Sequence, residues 1–99
     1  TVAVFGSFAR GDAGPQSDID IVLVSKDEAD PDRRFDLADA LSVQLATFTG
    51  NSVDIIDIVD ADLENLVLSD DALVSSWNAD ARTVHGPDLK SRIRSMIAE

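Results

Sequence analysis

The residues best suited to chemistry in this chain are carboxylates in an apolar setting. Asp18 and Asp20 flank Ile19 at the head of the run Asp-Ile-Asp-Ile-Val-Leu-Val, residues 18–24. In a strand, positions i and i+2 point to the same side, so the two carboxylates stand next to each other. Like charges that close are costly at neutral pH unless they reach solvent or share a cation. Val22 and Val24 continue the same side, which puts the pair at the mouth of a buried strand. Oxygen ligands of this kind suit Mg²⁺, which keeps several waters and takes its remaining ligands from substrate phosphates. A third carboxylate, Asp54, lies between Val53 and Ile55 in another apolar run, where a lone charge is expensive to bury. Asp57 competes with it. The two have opposite parity, so one regular strand cannot turn both toward the same site, and periodicity alone does not choose.

Gly6-Ser7 ends the short apolar run Val2–Phe5. Glycine lets a backbone approach a ligand closely, and hydroxyl and N–H groups at a helix start face an anion. Alone, the dipeptide signals no more than a turn. Arg10 has two readings: a phosphate or acceptor contact, or an ion-pair partner for the nearby carboxylates. His85, the only histidine, stands at the end of a short apolar stretch and reads as a surface or packing residue rather than a base. Trp77 reads as core, and Asp70-Asp71 as helix-start chemistry rather than a metal site.

Short, alternating elements must carry these residues. Thr1–Phe5 and Asp18–Val24 read as strands, the second buried on both faces. Between them Ser7–Arg10 reads as a helical turn in a stretch rich in glycine and small polar residues. Asp32 to about Phe48 predicts an amphipathic helix with Phe35, Leu37, Ala38, Leu41, Leu45 and Phe48 as its apolar positions, stopped by Gly50-Asn51. Val53–Val59 is a third strand, and Asp62–Leu68 and Asp70–Trp77 are two short helices. Arg82–His85 reads as an edge strand, and Asp88–Ile97 as a last helix with Leu89, Ile93, Met96 and Ile97 inward. Strands interleaved with helices give an α/β or α+β domain, a small mixed sheet with helices mainly on one face.

Charge narrows the function classes. With 8 Lys and Arg against 19 Asp and Glu, the 99-residue chain carries a net charge of −11. Such a field repels phosphate backbones and anionic lipid headgroups, so direct nucleic-acid or membrane-surface binding is disfavoured. There is no cysteine, which removes disulfides, thiolate zinc sites and cysteine nucleophiles. No apolar run approaches the ~20 residues of a membrane span, and no basic stretch precedes the first strand as in a secretory signal. The expectation is a soluble, cytoplasmic domain, and homo-oligomerisation is left open.

Taken together, Gly6-Ser7, ten intervening residues and Asp18-x-Asp20 resemble the signature of the nucleotidyltransferase superfamily related to DNA polymerase β. The fuller stretches Phe5-Gly-Ser-Phe-Ala-Arg-Gly11 and Ser17-Asp-Ile-Asp-Ile-Val-Leu-Val24 are similar to its minimal nucleotidyltransferase branch, and the likeness runs on through Val53–Ile58 and, more loosely, Ala81–Gly86. The resemblance implies a polymerase β palm-like fold over 1–99 as a single domain, with the helix usual before the first strand missing. It implies transfer of a nucleotidyl group from ATP or another NTP with release of pyrophosphate. Gly6 and Ser7 would hold the β- and γ-phosphates, Asp18 and Asp20 would bind two Mg²⁺ ions, and Asp54 would match the family's third carboxylate. Several members of the branch are antitoxins that move AMP onto a tyrosine of an HEPN RNase toxin, and that is the leading specific expectation. One alternative is an antitoxin that works by binding alone, its acidic surface docking on a basic RNase face. Another is a transferase for a small hydroxylated molecule such as an aminoglycoside, for which the chain leaves little room.

Overall fold

The computed structural model describes residues 1–11, 14 and 18–98, so part of the turn-rich stretch before Asp18 lies outside the described residues. In chain order the elements are β1 (Val2–Phe5), α1 (Gly6–Arg10), β2 (Ile19–Ser25), α2 (Pro31–Thr49), β3 (Val53–Val59), α3 (Asp60–Leu68), α4 (Ala72–Asp80), β4 (Arg82–His85) and α5 (Leu89–Ala98). The strands form one mixed sheet in the order β3-β2-β1-β4. β1 runs antiparallel to β2 and to β4, whereas β2 and β3 are parallel.

Parallel neighbours need a long crossover, which here is α2. Its start is fixed by the Asp30 side chain, which accepts a hydrogen bond from the Asp32 N–H at 3.0 Å, with Pro31 in the first turn. It ends at Gly50 in the left-handed region, φ 75°, where a side chain would be strained.

The main core lies on one face of the sheet. Ala3 and Phe5 of β1 and Val22 and Val24 of β2 meet Leu63 of α3, Val74 and Trp77 of α4, and Leu89 and Ile93 of α5. The rings of Phe5 and Trp77 pack edge to face, 5.9 Å apart at 70°. Ile19, Ile21 and Leu23 are buried on the opposite side of β2, so this strand is covered on both faces. α2 packs against β3 and is the one long helix away from the main core.

Two apolar faces expected from the sequence are narrower in the structure. In α2, Ala38, Leu41 and Leu45 are half-buried, but Phe35 and Phe48 are 69% and 90% exposed and Leu37 is exposed as well. A helix lying on a single strand edge can bury only one sector of its surface, and positions 38, 41 and 45 fill it. In α5, Leu89 and Ile93 are fully buried at i, i+4 spacing, while Ile97 is exposed.

Leu63 and Leu68 of α3 make a direct test of this packing, the first fully buried and the second 73% exposed. Leu63→Ala should lower stability by about 2–5 kcal/mol, and Leu68→Ala should stay within about 0.5 kcal/mol of the parent. Urea unfolding followed by the fluorescence of Trp77 measures both.

Candidate active site

The strand register gathers the carboxylates at one end of the sheet. Phe5, the last residue of β1, pairs with Asp20, and Asp20 pairs in turn with Asp54 across the parallel ladder. Asp20 and Asp54 share the face of Val22, Val24, Ile56 and Ile58, which continues into the main core. Asp18 is exposed just before β2.

Asp20 is half-buried and its pKa is raised, first by burial, then by the charges of Asp54 and Asp18; Arg10 pulls it back down. Asp20 thus stands in the field of two neighbouring carboxylates, a cost by itself that a cation between them would relieve.

Gly6 is required by its surroundings. Its φ of 73° lies in the left-handed region, and a Cβ there would run into the Asp20 carboxylate, with Cγ only 3.3 Å away. The chain thus turns from β1 into α1 with its backbone laid against Asp20, a contact that a side chain would forbid. Ser7 follows, half-buried in the same five-residue helical turn. Gly11, with φ 80°, closes that turn by donating its N–H to the Phe8 carbonyl at 3.3 Å.

The structure separates Asp54 from Asp57. Asp57 lies opposite Leu23 on the other face of the sheet, where Arg34 of α2 holds it. The Arg34 Nε and Nη2 groups donate to Asp57 Oδ1 at 3.4 and 3.3 Å, and Nη2 also reaches the Asp57 carbonyl at 3.5 Å. Asp57 anchors α2, whereas Asp54 stands beside Asp20. The sequence argument from the cost of burying Asp54 does not apply: Asp54 is exposed, because it sits near the start of an edge strand. Arg10 forms an ion pair with Asp80 at the end of α4, Nη1 to Oδ2 at 3.5 Å. Sequence reasoning passed over Asp80; its signal was an acid in the last turn of a helix, where the dipole disfavours it.

Among the described residues, no three acidic or histidine side chains converge as a ready-made metal cage. The donor chemistry nonetheless fits Mg²⁺: hard carboxylate oxygens on adjacent strands, mutually repelling, with one edge open to solvent. A shallow pocket lined by Thr1, Val24, Lys26, Asp60, Pro87 and Arg92 lies at the opposite end of the strands and shares none of these residues.

A glycine-turned strand end facing carboxylates on two neighbouring strands is the arrangement of a nucleotidyltransferase. The chain belongs to the polymerase β nucleotidyltransferase family, whose model matches residues 1–79; Ala81 and, from α5, Leu89 and Ile93, beyond that stretch, complete the same core. In fold it is similar to a crystal structure of a toxin–antitoxin with AMP-PNP, at 22% identity and a TM-score of 0.59 over 98% of this chain and 73% of the other. Two variant forms of the toxin–antitoxin MntA–HpeT are also similar. They show 22% and 19% identity and TM-scores of 0.55 and 0.56, over 98% of this chain and 72% of theirs. No curated protein matches in sequence. The fold is thus that of a minimal nucleotidyltransferase of MntA type.

Two outcomes follow from the site. Gly6→Ala should destabilise the protein by about 1–3 kcal/mol through backbone strain, and should weaken Mg²⁺ binding by displacing the Asp20 carboxylate, read by thermal melts with and without Mg²⁺. Because the folded-state pKa of Asp20 is raised, its favourable contribution is fully present below the unfolded value and is lost as pH rises through the folded one. Asp20→Asn should therefore melt higher than the parent at neutral pH without divalent ions. The advantage should fade toward pH 4, and Mg²⁺ should raise the melting temperature of the parent only.

Proposed function

We propose that this chain is a Mg²⁺-dependent nucleotidyltransferase that moves AMP from ATP to a hydroxyl of a partner protein, a tyrosine of an HEPN-type RNase toxin, and so acts as its antitoxin. The observation that carries this reading is the placement of Asp20 against both the Gly6 backbone and Asp54. One shared carboxylate thus lies between the turn that would receive the polyphosphate and the strand that would receive the acceptor. The toxin–antitoxin neighbours, one of them with AMP-PNP, favour the nucleotide and the partner class.

Gly6 and Ser7 bind the β- and γ-phosphates through the open backbone of the turn and the Ser7 hydroxyl. Asp18, Asp20 and Asp54 are the residues that would hold Mg²⁺, hard oxygen ligands that suit it. Bound there, Mg²⁺ supplies positive charge around the α-phosphate and acidifies the attacking hydroxyl. Asp54 orients that hydroxyl and takes its proton at a carboxylate oxygen. The acceptor O–P bond forms, the bond between the α-phosphorus and the bridging oxygen breaks, and pyrophosphate leaves.

A second reading, neutralisation by occupancy alone, draws on the charge of −11 and on the exposed Phe35 and Phe48 of α2. One experiment separates the two. With Mg²⁺, α-labelled ATP and the partner, wild type should label the partner, and the Asp18→Ala/Asp20→Ala protein should lose that labelling by at least ~100-fold. Absence of transfer by wild type sinks the enzymatic reading, and neutralisation that persists undiminished in the double variant favours occupancy.

A further inference from the structure

The outer side of α2 takes no part in the site described above. The helix packs on β3, its half-buried positions are Ala38, Leu41 and Leu45, and Arg34 is bonded to Asp57. Two rows of side chains lie beyond that contact. The first, positions 37, 41, 44 and 48, has the spacing of one side of a helix-to-helix seam. It starts at the margin of the buried sector with Leu41 and exposes Leu37 and Phe48, at 55% and 90%. The second row is acidic: Asp32, Asp36 and Asp39 are all exposed and run on to Val43, itself 58% exposed. At 3.6 residues per turn Ala40, also exposed, falls between the two rows. Among the described residues, no cation is bonded to the carboxylates of Asp36 and Asp39, and the exposed Arg33 offsets one charge of the three.

We propose that this face of α2 is a docking surface for a basic amphipathic helix of another protein. The apolar side chains of that helix settle over Ala40, between Leu37, Val43 and Phe48, and its lysines or arginines reach the acid row. The three- and four-residue spacing is the one that packed helices share, and a small residue at the centre allows close approach. Charge decides the occupant. A second copy of this chain carries the same −11, and an antiparallel pair across this face sets acid row against acid row, which opposes association. Anionic lipids and nucleic acids are repelled in the same way. A basic helix is attracted, and it finds carboxylates that are not already paired. Phe48 is also separated only by the short loop 50–52 from the start of β3, the strand end where Asp54 stands. The inference goes beyond nucleotidyl transfer and stands whether or not a nucleotide is moved.

The probe is a labelled synthetic peptide of about 20 residues, long enough to form a helix, with leucines at alternating three- and four-residue spacing between rows of lysine. It is titrated with the full chain at ~0.15 M salt, where bulk attraction is screened, and fluorescence anisotropy is read. It should bind at least ~tenfold tighter than a scrambled peptide of the same composition, because ordered burial of its leucines adds to charge. Leu37→Ser/Phe48→Ser should weaken binding by about tenfold or more, with a melting temperature close to wild type because both positions are exposed. Asp36→Asn/Asp39→Asn should weaken it roughly three- to tenfold and flatten its salt dependence. Glu64→Gln/Asp70→Asn removes two charges from α3 and the turn after it and should leave binding within about twofold. Equal binding of the scrambled peptide, or equal loss in the two charge variants, reduces the effect to net charge and overturns the proposal. So does a wild-type chain that binds no peptide. Sedimentation tests the remaining occupant: a wild-type dimer that Leu37→Ser/Phe48→Ser makes monomeric overturns the proposal in favour of a second copy. If the serine variant does not fold, the comparison of the two charge variants decides alone. The Asp18→Ala/Asp20→Ala protein should bind the peptide as wild type does, so this inference and the transfer reading fail separately.

Discussion

The parallel pairing of β2 with β3 is the constraint from which the rest of the molecule follows. It requires the long crossover that becomes α2, and it brings Asp54 alongside Asp20. A slip of one residue would send Asp54 to the opposite face, since side chains alternate with a period of two. Arg34 holds Asp57 on the opposite face of β3 through its side chain and carbonyl, while Asp54 keeps to the face of Asp20.

The acidic end of the sheet works against the stability of the fold. Asp20 is partly buried among like charges, and the Gly6 turn adopts a backbone conformation that few residues tolerate. Compensation comes from the hydrophobic layer behind it, where Phe5, Trp77, Leu63, Leu89 and Ile93 form a dense core on the same face. The glycine turn thus follows directly on Phe5, a member of the buried core.

Much of this was legible in the sequence, and for identifiable reasons. Gly50 marked the end of α2, and the apolar positions 19, 21 and 23 together with 22 and 24 gave β2 as a strand covered on both sides. The Asp18-x-Asp20 spacing placed two carboxylates together whatever the rest of the chain did. The choice between Asp54 and Asp57 was not legible, because it depends on which face of β3 meets the core, and that is decided by pairing with β2 and by Arg34. Nor were the exposures of Phe35, Phe48 and Ile97 legible, since periodicity says which residues share a side but not how wide a surface awaits them. Asp80 went unnoticed because its partner is far away in sequence.

The crossover topology also bears on when the site comes into existence. Asp20 leaves the ribosome well before Asp54, and the two meet only after α2 has formed and carried β3 back to lie beside β2. Non-local pairings of this kind form late in folding and depend on the closure of long loops. Until then Asp54 is a well-solvated charge remote from the Asp18 and Asp20 pair. The juxtaposition of Asp20 with Asp54 is therefore a property that arrives with the completed sheet, not one that accumulates along the nascent chain.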